Sequence, residues 1–154
     1  MNRVEVLRKY IDKILLNMND DELRRAAYVH LYGVAQNCTL IALKRNESVE
    51  LSTMAGMLHD IYTYAKMDSK DHAHKGASLA NEILAELNIT TPDESKIICN
   101  AIYCHSDKEN VHNGIAEVLI DADVMQHCLY NTSFDVMPHE KKRYEELTKE
   151  FQLG

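Results

Sequence analysis

The chain has 154 residues, a formal net charge of −7 at pH 7 and a pI near 5.6. This length suits one domain that buries about 70% of the surface its unfolded form exposes. The acidic balance leaves no extended basic stripe, which argues against a stable nucleic-acid complex held by counterion release. Only 5 glycines and 2 prolines leave few positions for the turns of a β-protein, so the composition favours an all-α fold.

No run of apolar residues is long enough for a membrane span, and residues 1–5 lack the apolar core of a signal peptide. We therefore expect a cytoplasmic protein with no membrane association. The cysteines at 38, 99, 104 and 128 are widely spaced and form no C-x-x-C pair. This spacing predicts reduced core cysteines and disfavours a cysteine–zinc site.

Apolar residues recur at helical spacing along most of the chain and predict about seven helices in a single compact bundle. Thr91-Pro92-Asp93-Glu94 indicates a helix start, with threonine as N-cap, proline at the first position and glutamate completing a capping box. Pro138 is predicted to open a polar last helix, an exposed packing or oligomer segment. One domain over 1–154 is expected to hold helices at about 3–17, 20–45, 48–62, 72–88, 91–105, 114–131 and 138–151.

The apolar run 54–58 ends by placing His59 and Asp60 side by side. A buried carboxylate without a partner costs several kcal/mol, so Asp60 in this position indicates an ion pair, a dense hydrogen-bond set or a metal. The alternative without a metal is that Asp60 caps a helix or pairs with Lys66, with His59 in solvent.

Four further histidines and acids lie on or beside apolar helical stripes: His30, His72, His105 and Asp123. Taken alone, His30 would be interpreted as a core histidine that forms a hydrogen bond with a neighbouring carbonyl group. Asp123 is preferred over Asp121 because it follows Leu119 by one turn on the buried stripe.

In the order His…His-Asp…His…His…Asp, these residues resemble the HD-domain superfamily of metal-dependent phosphohydrolases. The similarity covers roughly residues 25–130 and lies in segments 30–35, 55–61, 72–77, 102–105 and 121–123. The resemblance implies a helical bundle of the HD type. It also implies metal ligands His30, His59, Asp60 and Asp123, and a catalytic set of Asp60, His72 and His105.

The implied reaction is hydrolysis of a phosphate ester or anhydride in a nucleotide or similar small phosphorylated metabolite by a metal-activated water. Imidazole and carboxylate donors suit divalent Mn, Fe, Ni, Co or Zn and, less well, Mg. We expect one tightly held ion, with His72 and His105 lining the substrate side. The alternative is a second ion beside the first, for which Asp60 is the only strong bridging candidate.

Other residues must balance the negative charge of the phosphate. Lys66, Lys75 and Lys108 are the basic groups nearest to the motif in sequence, and Asp121 is a candidate for orienting a ligand or water. Solvated surface positions are the alternative for all four. Members of the superfamily often carry a lysine or an acid shortly after the His-Asp pair, whereas Tyr62 and Thr63 stand here, which leaves the substrate open.

Two other functions fit the sequence. One is a dinuclear phosphodiesterase of the same superfamily, and the other is a non-catalytic metal- or nucleotide-binding regulatory module. The expected partner is a small phosphorylated substrate, and the polar C-terminal segment leaves room for a homodimer.

Overall fold

The computed structural model describes residues 1–154 as α-helices joined by turns, with no strand. The all-α fold predicted from the sequence is confirmed. None of the helices combines the length and apolar content needed to cross a bilayer. The eight helices are α1 Arg3–Leu16, α2 Asp21–Arg45, α3 Val49–Leu58, α4 Ile61–Lys66, α5 His72–Leu87, α6 Pro92–Cys104, α7 Gly114–Tyr130 and α8 Lys141–Glu150.

The third predicted helix is divided in two at the His-Asp pair. His59 ends α3, and Asp60 leaves the helical conformation, with φ −112° and ψ 10°, before α4 begins. Successive side chains on a continuous helix point about 100° apart. The break therefore frees Asp60 from the direction that an unbroken helix would impose.

Several helix starts agree with the sequence. The Asp20 side chain accepts a hydrogen bond from the Leu23 backbone N–H. Thr91 and Glu94 form the predicted capping box, with Pro92 opening α6. These bonds satisfy backbone donors that have no partner inside a helix.

The last helix differs from its prediction in two respects. It begins at Lys141, because residues 138–140 form a turn that carries Glu140 into the interior. Its inner face is also not exposed, since Arg143 and Leu147 are buried. The segment is thus part of the packed structure.

A single cluster of 34 buried residues draws members from every helix. The helices α2 and α7 lie at its centre, and α2 packs against both α3 and α7. The four cysteines are free, and Cys38 and Cys128 are buried. The two central helices each carry one predicted metal ligand on a buried or half-buried face.

The contact between α2 and α3 brings two backbones together at Gly56. A Cβ atom added at Gly56 would lie 2.7 Å from the Ala35 Cα atom and 2.9 Å from its backbone nitrogen. Both are backbone atoms, so the contact has no flexible partner that could move aside. Close approach here holds the His59–Asp60 junction against α2.

Replacing Gly56 with alanine should lower the free energy of unfolding by about 1–3 kcal/mol, because the added methyl group forces α2 and α3 apart. The matched control is Gly33→Ala, whose methyl group would meet the flexible Gln126 side chain at 3.0 Å. Urea unfolding of both variants measures the difference. A Gly56→Ala protein as stable as its parent would contradict this packing.

Candidate metal centre

Six residues from five parts of the chain converge at one site. The helices α2 and α7 supply one residue each, the α3–α4 junction supplies two, the start of α5 supplies one, and the end of α6 supplies one. These are the residues predicted as metal ligands or catalytic groups: His30, His59, Asp60, His72, His105 and Asp123.

The first donor group consists of His30, His59, one oxygen of Asp60, and Asp123. The His30 Nε2 atom lies 3.0 Å from His59 Nε2 and 3.0 Å from Asp60 Oδ2. It also lies 3.4 Å from Asp123 Oδ1. Nitrogen and oxygen donors around one ion, each about 2.0–2.2 Å from it, are separated by roughly 3.0–3.5 Å. The spacing of this group therefore suits a single divalent cation.

Asp123 gives an independent reason to place a cation here. Its Oδ1 atom is buried and has no hydrogen-bond partner, although His59 Nε2 lies 3.7 Å away. A buried carboxylate oxygen without a partner is costly and calls for an ion or a proton donor. The donor set and this orphaned oxygen both fit a bound metal.

The second donor group consists of the other oxygen of Asp60, His72 and His105. Asp60 Oδ1 lies 3.2 Å from His105 Nε2 and 3.4 Å from His72 Nε2. The two histidine Nε2 atoms are 3.2 Å apart. The two oxygens of one carboxylate are thus divided between two pairs of histidines.

Backbone carbonyl groups orient three of the four histidine rings. Each Nδ1–H donates to the carbonyl oxygen three residues earlier, at 2.7 Å for His59, 2.6 Å for His105 and 3.2 Å for His72. This bond places the proton of the neutral ring on Nδ1 and leaves Nε2 as the ligand atom. The Nε2 atoms of all three rings lie near Asp60.

His30 is oriented differently because it lies within α2, where the carbonyl groups are used by the helix itself. Its Nδ1–H donates to Gln126 Oε1 of α7 at 2.8 Å. The Gln126 side chain fits beside Gly33, where a Cβ atom would meet Gln126 Cγ at 3.0 Å. The side-chain amide of Gln126 on the neighbouring helix thus orients the His30 ring, as backbone carbonyl groups orient the other three rings.

The charges of the site are strongly coupled. Burial alone would lower the pKa of His59, but the neighbouring Asp60 and Asp123 carboxylates raise it to about 10. Burial alone would raise the pKa of Asp60 and of Asp123, yet the nearby His59 ring helps to hold both well below their usual range. Metal ligation uses the neutral imidazole, so a cation that binds here competes with protonation of His59.

Lys108 lies at the site, but its charge is already matched. Its Nζ atom lies 2.8 Å from Asp123 Oδ2 and 2.6 Å from Glu140 Oε1. It therefore holds one oxygen of Asp123 and leaves Oδ1 free to face His30 and His59. Lys108 also lines the cleft at this site, and its contact with substrate stays a prediction.

The other three predicted substrate residues are not brought to the cluster. Lys66 is exposed and borders a different cavity, and Lys75 pairs with Asp68 at 3.2 Å. Asp121 binds Arg45 at 2.7 Å and Arg143 at 2.9 Å. Side chains two positions apart on a helix point about 200° apart, so Asp121 points away from the face that carries Asp123.

The structure adds residues that the sequence reading missed. His127 lies near Asp123, with 3.4 Å between Nε2 and Oδ1, and its Nδ1 atom bonds Glu140 Oε1 at 2.8 Å. The spacing of four from Asp123 to His127 places both on one helix face and could have signalled the contact. No sequence signal marks Glu140, because its position depends on how the 138–140 turn packs. Gln126 was missed for a similar reason, since only the packing of α2 on α7 pairs it with His30.

A cleft of about 310 Å³ opens onto the cluster. Its walls contain no hydrophobic residue and carry histidine, carboxylate, hydroxyl and ammonium groups. They are formed by Asp60, His72, His105, Ser106, Lys108, Asp123, His127 and His139.

The model of the HD domain family matches residues 27–150. This chain belongs to the HD domain family. The fold of this HD domain is similar to the crystal structure, at 1.45 Å resolution, of a predicted HD superfamily hydrolase from an uncultured Thermotogales bacterium. The two share 21% identity with a TM-score of 0.62, over 94% of this chain and 88% of the other. None of the curated proteins matches this chain.

The comparisons confirm the superfamily and the fold expected from the sequence. Together with three sets of ligand atoms that lie within 4.8 Å of one another, family membership supports a metal-dependent hydrolase. These sets are His30 with His59 and Asp60, His30 with Asp123 and His127, and Asp60 with His72 and His105.

Replacing Gln126 with leucine should weaken binding of the first divalent ion by about 10–100-fold, because the ring of His30 loses the acceptor that orients it. Gln126→Glu keeps an acceptor and should stay close to the parent. Competition between apo protein and a chelating dye for Zn²⁺ measures both affinities. Equal loss in the two variants, or no loss in either, would show that the bond does not orient His30.

Proposed function

We propose that this HD domain hydrolyses a phosphate ester or anhydride bond in a small phosphorylated metabolite such as a nucleotide, using two divalent ions on either side of Asp60. The observation that carries the proposal is the division of the Asp60 carboxylate. Oδ2 contacts His30 at 3.0 Å, and Oδ1 contacts His105 at 3.2 Å. Paired ions in such hydrolases lie roughly 3.5–4 Å apart, and a carboxylate with one oxygen toward each can bridge them. This arrangement favours the dinuclear alternative over the single ion expected from the sequence.

Each donor group would hold one ion. The first offers His30, His59, Asp60 and Asp123, and the second offers Asp60, His72 and His105. When bound, such ions lower the pKa of water and withdraw charge from a phosphoryl group. The second group has only three protein donors, so it leaves more room for substrate and water.

The cleft supports a phosphorylated ligand. No hydrophobic residue lines it, and Ser106 Oγ lies 3.4 Å from His72 Nε2 beside the second donor group. We therefore expect a nucleotide to place its phosphate groups in this cleft. A small substrate also accords with the acidic net charge of −7, which disfavours a nucleic-acid polymer.

Phosphate release from nucleoside mono-, di- and triphosphates in Mn²⁺, Co²⁺ or Ni²⁺ tests the proposal. The expected result is metal-dependent turnover that Asp60→Asn lowers by about a hundredfold or more, because both donor groups lose a shared ligand. The matched control is His74→Ala. His74 is exposed and is not part of the cluster, and its Nδ1 atom lies 2.9 Å from Asp71 Oδ1. The turnover of His74→Ala should equal that of the parent.

Bis-p-nitrophenyl phosphate separates the two reaction classes. Preferred cleavage of this diester would favour the phosphodiesterase alternative over monoester or anhydride hydrolysis. If metal-loaded protein cleaves none of these compounds, it is a binding module and the proposed activity is wrong.

A further inference from the structure

We infer that His127 is a further ligand of the first ion, through its Nε2 atom. The inference rests on the proposed metal centre but goes beyond it, because His127 is not among the six residues of the His…His-Asp…His…His…Asp pattern.

Position is the first argument. His127 lies one turn after Asp123 on α7, and its Nε2 atom is 3.4 Å from Asp123 Oδ1. This is the buried oxygen that has no hydrogen-bond partner. His30 Nε2 lies at the same distance, 3.4 Å, from the same oxygen. His30, Asp123 and His127 thus form a set of three ligand atoms, all within 4.8 Å of one another.

The orientation of the ring is the second argument. His127 Nδ1 donates to Glu140 Oε1 at 2.8 Å, which leaves Nε2 as the free atom on the cluster side. Carboxylate groups that receive the other N–H of a metal-bound histidine are common partners in metal sites. Glu140 is buried and is held in turn by Lys108 at 2.6 Å. The same Lys108 holds Asp123, so one ammonium group fixes one ligand directly and the support of another.

The relation to His30 is the third argument. The rings of His127 and His30 stack with centroids 5.1 Å apart and planes 11° from parallel. Both Nε2 atoms lie 3.4 Å from Asp123 Oδ1, so the two neighbouring rings approach the same buried oxygen. The side chain of His127 is 43% exposed at the cleft, so the fixed ring is not explained by core packing.

A fifth ligand on the first ion has a consequence for the substrate. It would leave the first ion fewer open positions than the second, which has three protein donors. A phosphoryl oxygen would then bind on the side of the cleft formed by His72, His105 and Ser106.

Long-range ¹H–¹⁵N spectra of the histidine rings, recorded on the full chain with and without Zn²⁺, test the ligand directly. The expected result is that the Nε2 resonance of His127 moves to the range of a metal-bound imidazole nitrogen, together with those of His30 and His59. The resonance of His74, an exposed control, should not move. A His127→Ala variant identifies its signal. If His30 and His59 shift while His127 does not, the inference is wrong.

Zn²⁺ affinity gives a second readout. His127→Ala should bind the first ion at least about tenfold more weakly than the parent, and His74→Ala should bind it equally. Glu140→Gln keeps the ring and an acceptor, so it should lose less affinity than His127→Ala. Unchanged affinity in His127→Ala would overturn the assignment even if turnover fell.

The spectra do not depend on catalysis. A shifted His127 resonance in a protein that cleaves no phosphate compound would refute the proposed function and leave the ligand assignment standing. An unshifted His127 resonance in an active enzyme would refute the ligand assignment and leave the proposed function standing.

Discussion

The two carboxylate oxygens of Asp60 point to different pairs of histidines, and the rest of the site depends on that orientation. Oδ2 lies at 3.0 Å from His30, which comes from the long central helix, and Oδ1 lies at 3.2 Å from His105, at the end of α6. An unbroken helix would fix Asp60 about 100° from His59. The break between α3 and α4 removes this constraint, and the contact of Gly56 with Ala35 holds the junction in place. Gathering carboxylates and histidines in a buried space costs stability, which a bound cation would offset by mass action.

The C-terminal helix belongs to this site although none of its residues is a proposed ligand. Arg143 donates from Nε to the Lys108 carbonyl oxygen at 2.8 Å and pairs with Asp121 at 2.9 Å. It thereby ties α8 to the loop that carries Lys108. The preceding turn brings Glu140 to Lys108 and His127. Removing one partner of such a buried network leaves a charge uncompensated, so changes in α8 should reach the site through its supports.

Much of the fold, and the six residues that converge at the candidate site, could be predicted from the sequence. His30 and Asp123 lie on helical stripes whose period assigns them to the interior, and the order of the six residues supplied the rest. Lys66 and Lys75 were chosen by their nearness in sequence, which does not determine side-chain direction. Lys75 turns to Asp68, and Lys66 reaches solvent.

Three features could not be predicted because tertiary packing decides them. The apolar stripe of α3 continues to Tyr62, so its period gives no sign of the break at Asp60. The sequence predicts one ion from the count of acids but cannot show how the two oxygens of Asp60 are turned, which is the geometry on which the two-ion proposal rests. Glu140 lies in an otherwise exposed turn after Pro138, and it is buried because α8 packs against α7.

Crystals grown with Mn²⁺ and measured at the metal absorption edge test the central claim most directly. We expect two anomalous peaks, one beside His30, His59 and Asp123 and one beside His72 and His105, separated by roughly 3.5–4 Å across Asp60. A single peak at the first donor group, with His72 and His105 free of metal, would contradict it.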